Sequence, residues 1–138
     1  MEKYKYSWIM LSLWVYMMVS ACGNKPRSVS LASGFPAITF PDTLHDFGII
    51  PLSNPVDSFE FWYSNTGRTP LVVLGLQASC HCVTAIYDAR PVQPGDSSYI
   101  RVKYDGRGRS AEYFEKSVAV YTNASDRPQR LIVRGRLE

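Results

Sequence analysis

The stretch Ser98–Tyr104 (SYIRVKY) alternates between two kinds of side chain. The first set is mostly apolar and consists of Ser98, Ile100, Val102 and Tyr104. The second set is mostly charged and consists of Tyr99, Arg101 and Lys103. Because successive side chains of a β-strand point to opposite faces, this alternation predicts a strand with one buried and one wet face. Such strands are typical of antiparallel sheets that cover a core with one face.

Two further stretches alternate in the same way. In Val56–Tyr63 the residues that share one face are Phe59, Phe61 and Tyr63, and those on the other are Glu60 and Trp62. In Arg130–Leu137 the residues predicted to point inward are Leu131, Val133 and Leu137. The residues predicted to point outward there are Arg130, Arg134 and Arg136. By contrast, Leu71–Leu76 is apolar on both faces, which predicts a central strand.

The remaining predicted strands are Ala37–Phe40, His45–Ile50, Cys82–Tyr87 and Tyr113–Thr122. Together the sequence contains about seven short strands, frequent Gly and Pro turn signals and no convincing helix. This pattern predicts an all-β fold, an immunoglobulin-like antiparallel β-sandwich. A small closed barrel is the competing arrangement.

Short motifs predict the local geometry between these strands. Asn65-Thr66-Gly67 is predicted to be a tight turn because Asn and Gly tolerate positive φ, and Pro94-Gly95-Asp96 is interpreted in the same way. Phe47 is expected to anchor its strand in the core, and Gly48 is expected to permit a bulge or close packing.

The N-terminus has the three parts of a signal peptide. Lys3 and Lys5 precede an uncharged, mostly apolar run, Trp8–Val19, which is shorter than the roughly 20 residues of a membrane-spanning helix. Val19-Ser20-Ala21-Cys22 resembles the bacterial lipobox, which implies that Cys22 is lipidated and residues 1–21 are removed. The alternatives are an ordinary secreted protein with a chance cysteine and an uncleaved anchor helix.

The exported part divides into a tether and a domain. Residues 22–36 are polar with Pro, Gly and Ser, which predicts a flexible tether between the lipid on Cys22 and a domain over residues 37–138. Gly23 rather than an aspartate follows Cys22. By similarity to lipoproteins of enteric bacteria, this favours the outer membrane. Asn24, Lys25 and Arg27 stand where relatives that reach the cell surface have acidic residues, so the periplasmic side is favoured over the cell surface.

Charge gives weak information about partners. The chain carries 15 Lys and Arg against 12 Asp and Glu. A dedicated nucleic-acid binder normally shows a strong basic excess, so no nucleic-acid partner is predicted. Arg107, Arg109 and the three outward arginines of the last strand are candidates for contact with anionic glycans or lipid headgroups, although such residues more often form a solvated face.

Cys80-His81-Cys82 is the one cluster in the sequence whose residue types could bind a metal or undergo thiol chemistry. In an extended segment the two thiols point to one face and His81 to the other, whereas a turn brings all three together. Two thiolates and an imidazole suit Cu(I) or Zn(II). A zinc site, however, normally needs four ligands, at least three of them from protein, and the only other histidine, His45, is distant in sequence. Three alternatives stay open: a disulfide or redox-labile pair, buried core thiols and a metal site.

Other signs of chemistry are weak. No phosphate-binding Gly-rich loop, metal-hydrolase His pair or serine nucleophile elbow occurs in the sequence, and His81 is poorly placed as a base for a catalytic thiol. The sequence therefore predicts neither an enzyme nor a cofactor. Asp42-Thr43-Leu44 resembles a short O-glycosylation motif of exported Bacteroidetes proteins, with Thr43 as the acceptor.

Several ordered motifs carry a family resemblance. They are His45–Ile50 (HDFGII), Phe61–Gly67 (FWYSNTG), Pro70–Val73 (PLVV), Ser79–Thr84 (SCHCVT), Pro91, Pro94–Asp96 (PGD), Lys116–Val118 (KSV) and Leu131–Gly135 (LIVRG). Over about residues 42–137 the chain resembles the domain of unknown function 1573 family, which is abundant in lipoproteins of the Bacteroidetes. The resemblance implies an immunoglobulin-like fold of the ciliary and centrosomal type and an exported location. His81 stands where the family usually has Gly.

The functional expectation is a lipid-anchored binding or interaction module of the cell envelope without catalytic activity. Its loops and exposed strand edges would contact another envelope protein, for example by strand addition, while a small-molecule ligand stays unidentified. The alternative is a metal-binding or thiol-redox envelope protein that uses Cys80, His81 and Cys82.

Overall fold

The computed structural model describes residues 34–138. It contains eight strands: β1 (Ile38–Thr39), β2 (Leu44–Ile50), β3 (Val56–Asn65), β4 (Val73–Ala78), β5 (Val83–Tyr87), β6 (Ser97–Asp105), β7 (Tyr113–Thr122) and β8 (Ser125–Leu137). Within residues 34–138, no helix has the length and apolar character needed to cross a membrane. The predicted signal peptide (residues 1–21), Cys22 and most of the tether lie outside the described residues.

The strands form two separate four-stranded sheets. The first sheet has the order β1-β3-β6-β5 and the second has the order β2-β8-β7-β4. Inward side chains of both sheets form one shared core. The predicted all-β sandwich is therefore confirmed, and the competing closed barrel is wrong.

One strand pair departs from the antiparallel pattern. β2 pairs with β8 in parallel, from Leu44 opposite Ile132 to Ile50 opposite Leu137. All other strand ladders of residues 34–138 are antiparallel. Alternation predicts which face a residue occupies but says nothing about strand direction, so the sequence contained no sign of this parallel pair.

The core consists mainly of the residues that alternation placed inward. Fully buried side chains on β3, β6 and β8 are Phe61, Tyr63, Ile100, Val102, Tyr104, Leu131, Val133 and Leu137. The Tyr104 ring stacks on Phe114 of β7, with 3.7 Å between the ring centroids. Aromatic contact thus joins the two sheets, because β6 and β7 belong to different sheets.

Two strand predictions were wrong in position. The run Leu71–Leu76 was predicted to be central, but β4 is the edge of its sheet, and Leu74 is 64% exposed. An apolar run shows that a strand has little charge, not that it has neighbours on both sides. β8 also begins at Ser125, whereas the predicted strand began at Arg130. The prediction missed residues 125–130 because all of them are exposed, so they show no alternation of apolar and polar side chains.

The turn after β3 depends on Asn65 for a reason other than positive φ. No non-Gly residue in the described chain has positive φ, and Gly67 is not among the positive-φ glycines. The fully buried Asn65 instead donates from Nδ2 to the carbonyl oxygens of Thr69 (2.8 Å) and Val92 (2.9 Å) and accepts from the Gly67 N–H (2.9 Å). Gly67 is required because a Cβ there would lie 2.4 Å from the Ala37 nitrogen.

The other local predictions were correct. Gly48 has φ +66°, and the β2–β8 register shifts between Asp46 and Ile49, as expected for a bulge. Gly95 has φ +86° in the turn before β6. Phe47 is half-buried against the core, so it anchors β2 from the rim of the core.

Candidate functional site

The Cys80-His81-Cys82 segment is a turn between two edge strands. β4 ends at Ala78 and β5 begins at Val83, and the Val83 N–H donates to the Cys80 carbonyl oxygen at 3.1 Å. His81 and Cys82 are therefore the central residues of the turn. The extended conformation considered for this segment is wrong, and the turn brings the two cysteines closer together.

The structure joins Cys80 and Cys82 in a disulfide, with 5.1 Å between their Cα atoms. An extended strand would place these Cα atoms about 6.6 Å apart. The metal assignment of Cys80, His81 and Cys82 does not hold in this form, because two sulfurs bonded to each other are not thiolate ligands. Within residues 34–138 no group of three or more His, Cys, Asp or Glu is placed to hold a metal ion. Metal binding by the reduced form stays a prediction.

His81 fits this turn without backbone strain. Its φ is negative, as it is for every non-Gly residue described. His81 in place of the Gly usual in the resembled family therefore does not hinder this turn, since only a positive φ would penalise the larger residue. The His81 side chain is exposed, whereas Cys80 is half-buried and Cys82 is 9% exposed and belongs to the core.

Two donors point at the sulfur of Cys80. The Cys82 N–H donates to Cys80 Sγ at 3.1 Å, and Arg109 Nη2 lies 3.6 Å from the same sulfur. Arg109 comes from the loop between β6 and β7, and its Nη1 is 2.9 Å from Glu112 Oε1. Positive charge and an N–H group at one sulfur favour the thiolate over the thiol.

A surface depression of about 420 Å³ lies beside this disulfide. Its walls are residues 78–81 and 83–85 together with Leu76, so they come from the ends of β4 and β5 and the turn between them. Cys80 and His81 both line it, whereas Cys82 does not. Of the two sulfur-bearing residues, Cys80 is therefore the one that a molecule in the depression meets.

A second candidate surface is the outer face of the β1-β3-β6-β5 sheet. Trp62 and Ile86 are each 53% exposed there. Trp62 is opposite Tyr99, with 5.3 Å between ring centroids, and the Arg101 guanidinium lies 5.6 Å from the Tyr99 ring centroid. We call Trp62, Ile86, Tyr99 and Arg101 the aromatic patch.

Charge on the aromatic patch is balanced. Arg101 is opposite Glu60 on one neighbouring strand and opposite Ile86 on the other. Arg101 Nε donates to Glu60 Oε1 at 3.1 Å, and this hydrogen bond raises the pKa of Arg101 above its ordinary value. A depression of about 430 Å³ at the patch is lined by Trp62, Ile86, Tyr99 and residues 87, 88, 90, 97 and 98. Aromatic and aliphatic side chains thus lie beside charged and hydroxyl-bearing ones on this surface.

The other candidate residues do not form a site. Of the arginines singled out in the sequence, four are in ion pairs, Arg107–Asp105, Arg109–Glu112, Arg134–Asp46 and Arg136–Glu138. This pairing supports the solvated-face interpretation for Arg107, Arg134 and Arg136, whereas Arg109 also contacts Cys80. His45 stacks on Phe59 at 3.6 Å between ring centroids, which explains its place beside the core. Thr43 is exposed, and its glycosylation stays a prediction.

Two relationships at these sites were missed from the sequence. The contact between Arg109 and Cys80 joins residues 29 apart, and nothing in the local pattern of either segment signals it. The alternation of β3 and β6 placed Trp62 and Tyr99 on wet faces, but it did not show that they are partners. Exposed aromatic residues on two strands were the available signal, and their pairing depends on the register.

A family model described as "Protein of unknown function (DUF1573)" matches residues 38–137. Among solved structures, the chain is similar to a protein of unknown function from Porphyromonas gingivalis W83, with a TM-score of 0.65, 19% identity and coverage of 77% of this chain and 49% of that chain. It thus spans about half of that protein, and at this identity the likeness shows the fold alone. It is also similar to the Vibrio cholerae VesB protease, with a TM-score of 0.48, 17% identity and coverage of 75% and 31%, and no argument rests on that likeness. No curated protein matches the chain.

Proposed function

We propose a function for this chain, which belongs to the DUF1573 family, a family of unknown function. It is a lipid-anchored binding module of the bacterial cell envelope, without catalytic activity, and its partner is another envelope protein. The sequence Val19-Ser20-Ala21-Cys22 supports the anchor, since it resembles a lipobox. Lipid on Cys22 would hold the domain at the outer membrane, on the periplasmic side.

The exposed aromatic patch is the main support for the proposal that this domain binds a partner. Trp, Tyr and Arg are the residue types that contribute most to binding energy in protein interfaces, and here they are adjacent on one exposed sheet face. Water contact with Trp62 and Ile86 is unfavourable, so a partner that covers both side chains gains the free energy of burying them. A surface that combines aromatic residues and arginine with polar neighbours has the usual composition of such interfaces.

Charge favours a protein partner over a nucleic acid or an anionic membrane surface. Binding to phosphates requires a surplus of cations at the contact surface. Within the aromatic patch the one cation, Arg101, is already paired with Glu60. A folded protein with an apolar surface matches this balance better.

Photo-crosslinking in the cells that make the protein tests the binding surface. A benzophenone amino acid in place of Ile86 keeps Trp62 and Tyr99 intact and is expected to yield protein adducts of defined mass. The matched control is the same residue in place of Leu74, which is 64% exposed on the other sheet. Tyr99→Ser is expected to remove the adducts at position 86. Equal labelling from positions 86 and 74, or adducts that persist with Tyr99→Ser, would show that the aromatic patch is not the binding surface.

A further inference from the structure

We propose that Cys80 and Cys82 form an exchangeable dithiol–disulfide pair in which Cys80 is the reactive sulfur and Arg109 stabilises its thiolate. This activity goes beyond the binding module and uses a different part of the molecule. Its substrate class is an accessible disulfide of a peptide or protein, or the corresponding dithiol. Three features of the pair support this activity: its position in the fold, the unequal burial of its two cysteines and the donors around one of them.

The position of this disulfide gives it a small role in holding the fold. The two cysteines are only two residues apart. A disulfide stabilises a protein mainly by restricting the unfolded chain, and the effect grows with the length of the closed loop. A loop that contains only His81 between the cysteines is very short, and the Val83 N–H already closes the same turn by donating to the Cys80 carbonyl oxygen. Reduction should therefore leave the sandwich folded.

The two cysteines differ in access. Cys80 is half-buried and lines the depression between the ends of β4 and β5, whereas Cys82 belongs to the core. Exchange requires an incoming sulfur to approach the attacked sulfur in line with the S–S bond, so access decides which cysteine reacts. Cys80 is the sulfur that a partner reaches first, and Cys82 is the resolving thiol.

The surroundings of Cys80 favour its negative form. In the oxidised form the guanidinium of Arg109 and the N–H of Cys82 lie 3.6 Å and 3.1 Å from its sulfur, so both would face the thiolate that reduction produces. A nearby cation and an N–H donor both stabilise a thiolate and so increase the fraction of reactive sulfur at neutral pH. Glu112 binds the other nitrogen of the Arg109 guanidinium and holds it in this orientation.

The exchange proceeds in two balanced steps. The Cys80 thiolate attacks one sulfur of the partner disulfide, the partner S–S bond breaks, and the released thiolate takes a proton from water. The Cys82 thiol then loses a proton to water and attacks the Cys80 sulfur, which forms the Cys80–Cys82 disulfide and releases the second partner thiolate. Two electrons pass from the cysteine pair to the partner disulfide, and the reverse sequence oxidises a partner dithiol.

Trapping of the mixed disulfide tests which sulfur reacts. The full-length chain is reduced, exposed to oxidised glutathione as the peptide disulfide, and mapped by peptide mass spectrometry so that Cys22 is read separately. Cys82→Ala is expected to accumulate glutathione on Cys80, and Cys80→Ala is expected to react at Cys82 at least about tenfold more slowly because of its burial. In the unsubstituted reduced chain, limited alkylation should modify Cys80 before Cys82. Equal rates at both cysteines, or faster reaction at Cys82, would overturn the assignment.

The pH profile of alkylation tests Arg109. In the Cys82→Ala chain, Arg109→Ala is expected to move the midpoint of the Cys80 alkylation rate upward by about one pH unit, and Arg109→Lys should retain most of the original midpoint. Arg107→Ala is the matched control, since Arg107 lies in the same loop but pairs with Asp105. Circular dichroism verifies that each variant is folded. An unchanged midpoint in Arg109→Ala, or a wild-type disulfide that glutathione reduces only after unfolding, would reject the proposal.

Discussion

Asn65 shows how a single buried polar side chain can hold several segments together. Its amide bonds to Thr69 and Val92 on one side and to Gly67 and Ala37 on the other. These residues belong to the loops around β1, β3 and the turn before β6. A buried polar group is tolerated when its hydrogen bonds are made, and here the amide is also the partner of the Thr69 carbonyl and the Gly67 N–H.

Replacing Asn65 by Ala is expected to destabilise the protein by about 3 kcal/mol, because it leaves buried backbone groups without partners. Asn123→Ala is the matched control. The Asn123 side chain makes a similar pair of bonds, to the Val72 N–H and the Pro70 carbonyl, but at an exposed position where water replaces them. We expect a cost of about 1 kcal/mol there. Urea unfolding of both variants measures the difference, and equal costs would contradict this role for Asn65.

Tyr104 presents the opposite situation. Its hydroxyl is the one buried side-chain polar atom within residues 34–138 that has no hydrogen-bond partner, and burial raises its pKa. Tyr104→Phe is therefore expected to be neutral or to stabilise the fold by up to about 1 kcal/mol, since no hydrogen bond is lost. Tyr104→Leu removes the ring that stacks on Phe114 and should cost about 2 kcal/mol. If urea unfolding showed a larger loss of stability for Tyr104→Phe than for Tyr104→Leu, the Tyr104 hydroxyl would have to have a hydrogen-bond partner.

Folding changes the titration of Asp105, the last residue of β6. The Arg107 side chain and the Arg107 N–H both donate to its carboxylate, and they lower its pKa from 3.8 to about 2. Because the folded pKa is below the unfolded one, the stabilising effect is present above pH 3.8 and is lost as the pH falls from 3.8 towards 2.

NMR titration of the Asp105 carboxyl carbon is therefore expected to have its midpoint near pH 2. Arg107→Ala should raise the midpoint, but not to 3.8, because the backbone N–H of residue 107 still donates. Arg130→Ala, on β8, is the control and should leave it unchanged. A wild-type midpoint at 3.8 would show that the two donors do not act on this carboxylate.

At the scale of the strands, one end of each sheet is an unprotected edge. β4 and β5 are the last strands of their sheets, and neither contains a charged residue or a proline. Natural edge strands usually carry charges, prolines or bulges that prevent pairing with another chain. β4 has an irregular register between Val73 and Gly75, but β5 has a regular ladder with β6. The unprotected edge of β5 is therefore compatible with the strand addition considered for the envelope partner.

The bulge in β2 provides a prediction at the same scale. Gly48 has φ +66°, and a Cβ there would meet nothing within 4 Å, so the cost of Gly48→Ala is conformational rather than steric. We expect a loss of about 1–2 kcal/mol. Gly75→Ala on β4 is the control, since the site is equally open and its φ is not positive, and its effect should be within about 0.5 kcal/mol. Similar unfolding free energies for the two variants would contradict the role of φ at Gly48.

At the scale of the whole molecule, the proposed function depends on the lipid anchor. A single acyl chain holds a protein only weakly at a membrane, so the anchor requires the several chains that a lipidated Cys22 would carry. Cys22→Ala is expected to leave an unprocessed precursor, and globomycin, which blocks the lipoprotein signal peptidase, should accumulate the lipidated form of the unsubstituted chain. Cys80→Ala is the control and should be processed normally. Mass spectrometry distinguishes these forms, and a correctly processed Cys22→Ala chain would reject the anchor.

The sequence by itself determined the class of fold and the face on which most strand residues lie. Burial of Ile100, Val102 and Tyr104 follows from alternation, because the direction of each side chain depends only on its neighbours along the chain. The tertiary structure decided which strands are neighbours, and through them the parallel pair β2–β8, the edge position of β4, and the contacts of Trp62 with Tyr99 and of Arg109 with Cys80. These contacts join residues far apart in the chain, and they form only when the packing of the common core selects one strand order and register.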